Sequence, residues 1–208
     1  FYWMGMTLFK NRKEAGRKLS ENLRDQLDVD AVVIPYPEAS DIGFEVARLQ
    51  NADVHIRLSE FISAPDIPHA NIGAVVEDGT LWVEDGLKNE LEVPSSYIEN
   101  TSRIKSNILS DKSIELQDED SGFKGKDVAI VSDGINSGFR EAAVAGSILK
   151  NGAENIYIVT PITSKNIMAD LRSVSKGLFY LHEVPFLSSP DACYVNNRDI
   201  DQRKGYTA

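Results

Sequence analysis

Apolar residues along this chain fall into two alternating rhythms. Ala15, Leu19, Leu23 and Leu27 recur every fourth residue, the spacing that puts side chains on one face of a helix. The run Ala31-Val32-Val33-Ile34 follows and predicts a short buried strand stopped by Pro35. Ile42, Val46 and Leu49 return to helical spacing, and Asp53 to Leu58 predicts a second strand. Buried runs recur at Val128–Val131, Ile156–Val159 and Leu178–Leu181, with helices predicted over 139–150 and 163–175. Gly152 stands where a helix C-terminal cap is expected. Strands and helices alternating at this spacing predict an α/β fold, a parallel sheet with helices on its faces.

One stretch breaks the alternation. Residues 72–83 read as a hairpin turning at Asp78-Gly79, which predicts a small flap or hood beside the sheet. A polar helix is expected over Ser96–Leu109, followed by a solvated acidic loop over 111–121.

Composition narrows the partners. With 208 residues, 42% hydrophobic and 26% charged, the chain has enough apolar material for one α/β core. A formal net charge of −10 repels nucleic acid and anionic lipid at long range, so neither is an expected partner. No apolar run reaches the roughly 20 residues that span a bilayer. A single cysteine, Cys193, allows no internal disulfide and points to a reducing compartment, the cytoplasm. His55, His69 and His182 lack metal-ligand spacing, so no metal is expected from protein side chains.

The segment with chemical content runs from Val128 to Ala143. A buried strand leads through Ser132, Asp133, Gly134, Ile135, Asn136, Ser137 and Gly138 into a helix opening at Phe139 and Arg140. In open α/β sheets ligands lie beyond the carboxyl ends of strands, at turns of this kind. The glycines let backbone come close to a ligand, and first-turn N–H groups lacking helical acceptors favour an anion. Ser137 adds a hydroxyl and Arg140 a guanidinium for a phosphate oxygen. The competing interpretation is an ordinary strand-to-helix turn that needs glycine for its geometry and binds nothing. Two other motifs fail on spacing. A nucleophile elbow needs glycine two residues either side of serine, where Ser137 has Ile135 and Phe139, and the Gly-Lys-Ser/Thr of a nucleotide P-loop is absent.

Val131–Arg140 resembles the 5-phosphoribosyl-pyrophosphate motif of the type I phosphoribosyltransferases, in which two acidic residues precede a phosphate loop. Phe9–Gly16, Ile72–Val75 with Glu77-Asp78-Gly79, Phe123–Lys126 and Pro161 resemble, in order, segments of an uncharacterised bacterial and archaeal branch of that family. The resemblance implies an open parallel sheet flanked by helices and one phosphoribosyltransferase-like domain over 1–208. Its hood would span about 59–95 together with the C-terminal segment 184–208. It also implies a small-molecule phosphate or nucleotide ligand, Mg2+ carried by that ligand where it is phosphoribosyl pyrophosphate, and a homodimer, since relatives commonly dimerise. Asp133, Ser132 and Asn136 fall at the catalytic positions, with Asp133 expected on the ribose hydroxyls, and residues 134–140 at the 5-phosphate. Tyr36, Pro37, Glu38 and Arg57 fall on the pyrophosphate side, and Phe186 where a base would stack.

The departures fall on catalytic positions. The first acid of the pair is Ser132, Asn136 stands where purine-using members often carry an aspartate, and Arg140 replaces a threonine. Pro37 has no N–H to donate and Glu38 repels pyrophosphate. Three readings stay open on the sequence. They are phosphoribosyl transfer to a base or amine, non-catalytic binding of a nucleotide or sugar phosphate, and hydrolysis of a phosphoribosyl compound.

Overall fold

The computed structural model describes residues 7–115, 122–167 and 169–196. After an Asn11 side chain caps the Glu14 N–H at 2.9 Å, α1 runs over Arg12–Leu23. Then follow β1 (Ala31–Ile34), a 3-10 turn (Pro37–Ala39), α2 (Ser40–Gln50) and β2 (Asp53–Ile56). Three further strands come next, β3 (Ser59–Ala64), β4 (Ile67–Val76) and β5 (Leu81–Val83), then helices α3 (Asp85–Glu90) and α4 (Ser95–Glu115). The chain returns through β6 (Asp127–Val131), α5 (Phe139–Lys150), β7 (Asn155–Ser164), α6 (Ala169–Ser173) and β8 (Gly177–Val184), and a second 3-10 turn covers Pro190–Cys193.

Five strands form one parallel sheet in the order β2-β1-β6-β7-β8. Because strand side chains alternate in direction, each buried run feeds two cores. Val32, Ala129 and Val131 pack under α1 and α2 with Leu19, Leu23, Ile42 and Val46. Ala31, Val33, Val128 and Ile130 face the other way, against Ala142, Ala145 and Ile148 of α5. The hood is an antiparallel sheet, β3-β4-β5, whose Ala74 and Val76 join that second core. Helix α5 is therefore covered on both sides. Its small residues reflect this: a Cβ at Gly146 would lie 3.4 Å from Thr80.

The strand expectations agree with the sheet, and the predicted hairpin is β4 and β5. Two expectations change. No helix covers 163–175; β7 continues through Ser164, and α6 is only one turn. The buried Thr160 and Thr163 hydroxyls donate to the carbonyls of Ile162 and Ser164, which lets polar residues sit inside the sheet. The acidic stretch begins as helix, since α4 extends to Glu115 with Asp111 and Lys112 exposed; 116–121 lie outside the described residues, as do 197–208 of the predicted C-terminal hood segment. Among the described residues no helix is long and apolar enough to cross a membrane.

Candidate functional site

Strand order decides where a ligand can sit. From β1 the chain moves outward to β2 on one side, while from β6 it moves to β7 on the other. The loops leaving these adjacent strands diverge, and such a switch point opens a crevice at the carboxyl end of the sheet. A cleft of about 440 Å³ lies there. Its walls are Tyr36, Pro37 and Glu38 after β1, residues 133–136 with Arg140 and Glu141 after β6, and Phe61 of the hood; Pro190 and Asp191 close one end.

At its floor Asp133 is almost wholly buried and already engaged. Its Oδ2 accepts from Arg12 Nε at 2.8 Å and Nη2 at 2.7 Å, and its Oδ1 from the Tyr36 hydroxyl at 3.0 Å. The Tyr194 hydroxyl donates to the Asp133 carbonyl, and its ring lies 4.6 Å from the Arg12 guanidinium. Arg12 also reaches Asp191 at 2.5 Å. Burial pushes the Asp133 carboxyl above its ordinary range, and the Arg12 guanidinium pulls it back only in part. Burial acts to lower Arg12, but Asp133 and Asp191 outweigh it and hold the guanidinium above its ordinary value. Arg12 is therefore a fixed cation, and three donors on one carboxylate favour its ionised form at neutral pH. Burial likewise raises the Tyr36 hydroxyl, with Asp133 adding to the effect.

Ser132 is fully buried and outside the cleft lining. Its Oγ donates to Glu141 Oε1 at 2.5 Å, and it is Glu141 that lines the cleft. Burial pushes the Glu141 carboxyl up, against the Ser132 hydrogen bond.

The loop into α5 is rich in unmet donors. Gly138 takes φ +82°, a left-handed turn that glycine adopts without Cβ strain, and supplies no side-chain cap. Among the described residues, the backbone N–H groups of Asn136, Ser137, Gly138, Phe139 and Arg140 have no acceptor. Ser137 Oγ and Arg140 Nε are buried and equally without a partner. The Arg140 guanidinium is centred 4.2 Å from the Tyr36 ring and 4.0 Å from Phe61. The rings occupy its faces and leave its N–H edge for an acceptor. Ile135 differs from its neighbours. Its N–H donates to the Ile162 carbonyl and its own carbonyl accepts from Ser164, so its amide is committed to the sheet. Phe139 contributes backbone only, because its ring is buried and stacked on Trp82 at 5.2 Å.

Among the expected positions, Ser137, Gly138 and Phe139 lie behind the cleft lining as Ser132 does, and Arg57 and Phe186 lie outside it as well. Arg57 pairs with Glu77 at 3.4 Å and sits 5.3 Å from the Phe123 ring. Phe186 is 76% exposed. The structure adds Arg12, Phe61, Glu141 and Asp191, none singled out by sequence as a site residue. Arg12 and Asp133 are 121 positions apart, and no local signal joins them.

A parallel sheet that opens at this switch point beneath an antiparallel hood gives the chain a type I phosphoribosyltransferase-like fold. Among solved structures it is similar to the TT1426 protein of Thermus thermophilus, with TM-score 0.69 and 23% identity over 92% of this chain and 95% of that one. The AQ2163 protein of Aquifex aeolicus matches at TM-score 0.50 and 11% identity, over 88% and 85% of the two chains. In sequence, two Mycobacterium tuberculosis proteins provisionally named phosphoribosyl transferases are each 26% identical over 195 residues, which is 89% of this chain and 41% of theirs. The chain thus spans about two fifths of the length of the curated relatives it matches. No family model matches it.

Proposed function

We propose that the protein binds a small molecule with a ribose 5-phosphate end, a nucleoside monophosphate or a sugar phosphate, in the cleft between the β1 and β6 loops. The observation that carries this reading is the run of five unaccepted N–H groups from Asn136 to Arg140, with the unpartnered Ser137 Oγ and Arg140 Nε beside it. Unsatisfied buried donors cost about 1–3 kcal/mol each, and one phosphate accepts from several at once. Ile135 contributes shape and no donor, and Asn136 faces the ligand without being able to act as a base.

On the opposite wall Pro37 offers no N–H and Glu38 adds negative charge, which favours a monophosphate over a pyrophosphate. Phosphoribosyl transfer is the second reading, favoured by the names of the M. tuberculosis relatives; Mg2+ would then arrive on the pyrophosphate and offset the Glu38 charge. Calorimetric titration with ribose 5-phosphate, AMP, and phosphoribosyl pyrophosphate with and without Mg2+ tests both. The monophosphates should bind without magnesium, and magnesium should tighten the pyrophosphate ligand by less than about threefold, a gain of under 1 kcal/mol. A much larger magnesium effect with release of pyrophosphate would favour transfer, and silence with every ligand would end the ribose 5-phosphate reading.

A further inference from the structure

The anion-accepting end of α5 already holds a carboxyl group. Glu141 is the third residue of the helix, and its carboxylate accepts from Ser132 Oγ. That places it in the mouth of the helix, one residue beyond the free donors of Asn136 to Arg140. The residue is only 4% exposed, lines the cleft, and enters no ion pair among the described residues. A buried carboxylate without a paired cation is costly, and such a group commonly stays neutral or acquires a partner. A second anion beside it raises that cost further.

We propose that anion binding at the start of α5 is proton-linked: as the anion enters, Glu141 takes up one proton from solvent and its O–H becomes a donor. This rests on the reading that the 136–140 loop holds an anion. The ionisable groups that face Glu141 are Asp133 from the β6 turn, Tyr36 from the β1 turn and Arg140 on its own helix. Arg12 of α1, Glu38 after β1, Glu60 of the hood, Lys112 of α4 and Asp191 of the C-terminal turn line the rest of the cleft. Asp133 is ion-paired with Arg12 and Glu141 is in no such pair, which makes Glu141 the group whose charge conflicts with the ligand's. Burial holds Glu141 above the ordinary carboxyl range, in the sense that eases the uptake.

Sulfate is the suitable probe, because its own charge is constant across the working range. It should bind the unaltered protein about tenfold more tightly at about pH 5.5 than at about pH 8.5, and titration in buffers of different ionisation enthalpy should report uptake of up to one proton. Glu141→Gln keeps the shape and an acceptor for Ser132 without the charge. It should bind sulfate within about twofold at both pH values, as tightly as the parent does in acid. Binding to the parent with neither pH dependence nor proton uptake overturns the linkage and leaves the anion site standing. So does a Glu141→Gln protein that keeps the full dependence, which would move the effect to Asp133. Sulfate that binds at neither pH takes the anion site down as well. Should the variant fail to fold, the buffer series on the parent decides alone.

Discussion

Replacing Arg12 with methionine tests the floor of the site. Methionine retains an unbranched apolar side chain against Tyr194 and removes both N–H donors from Asp133, leaving the Tyr36 hydroxyl as that carboxylate's remaining side-chain donor. Removing one partner of a buried ion pair costs about 3–5 kcal/mol, most of it the penalty of the stranded charge. The bond to Asp191 adds under about 1 kcal/mol, because that carboxylate is 62% exposed and screened by water. At roughly 2–4 °C per kcal/mol for a chain of this size, Tm should fall by about 6–20 °C. Urea unfolding of Arg12→Met, Asp133→Asn and the double variant gives the coupling between the two side chains, expected at about 2 kcal/mol or more. The pH dependence has a definite sign. Without Arg12, burial raises Asp133 further above its unfolded value. A carboxyl raised in the folded state loses stability as pH climbs through that interval, so the Arg12→Met penalty should shrink as pH is lowered toward about 4. A cost below about 1 kcal/mol at neutral pH, or a penalty that is the same in acid, would refute the buried-pair account.

Two further substitutions separate folding from binding. Ser137→Ala deletes a hydroxyl with no partner in the structure, so urea stability should stay within about 0.5 kcal/mol while ribose 5-phosphate affinity falls several-fold, as for a lost hydrogen bond to a charged group. An unchanged dissociation constant would show that the hydroxyl takes no part. Phe186→Ala alters an exposed ring away from the cleft, so AMP affinity should change by less than about twofold, under 0.5 kcal/mol; a larger loss would mean that the ring folds over the ligand.

Most of the core sheet was legible because buried parallel strands are written locally, as Ala31–Ile34 and Val128–Val131 show. The loop at Gly134–Gly138 was legible for the same reason, since a strand, two glycines and a helix start are adjacent in sequence. What failed depended on distance or on exceptions to polarity. Thr163 and Ser164 look like the opening of a helix, and only their burial beside Ile135 and Val184 keeps them in β7. The helix expected over 163–175 is a single turn, whose buried Leu171 packs near Gly138. Nothing near Glu141 in the sequence announces that Ser132 holds its carboxylate. Likewise, Asp133 looked open to a ligand until Arg12, Tyr36 and Tyr194 converged on it from three other parts of the chain.

The position of α5 between two sheets has a consequence for how this cleft can change over time. Ala142, Ala143, Val144, Ala145 and Ile148 are nearly inaccessible, so bulkier residues there would force apart layers packed at crystal-like density. The wall of the cleft formed by α5 is accordingly hard to remodel. A lineage acquiring a new ligand would do so by altering the rim at 37–38, 60–61 and 189–191, while the turn into α5 stays nearly unaltered.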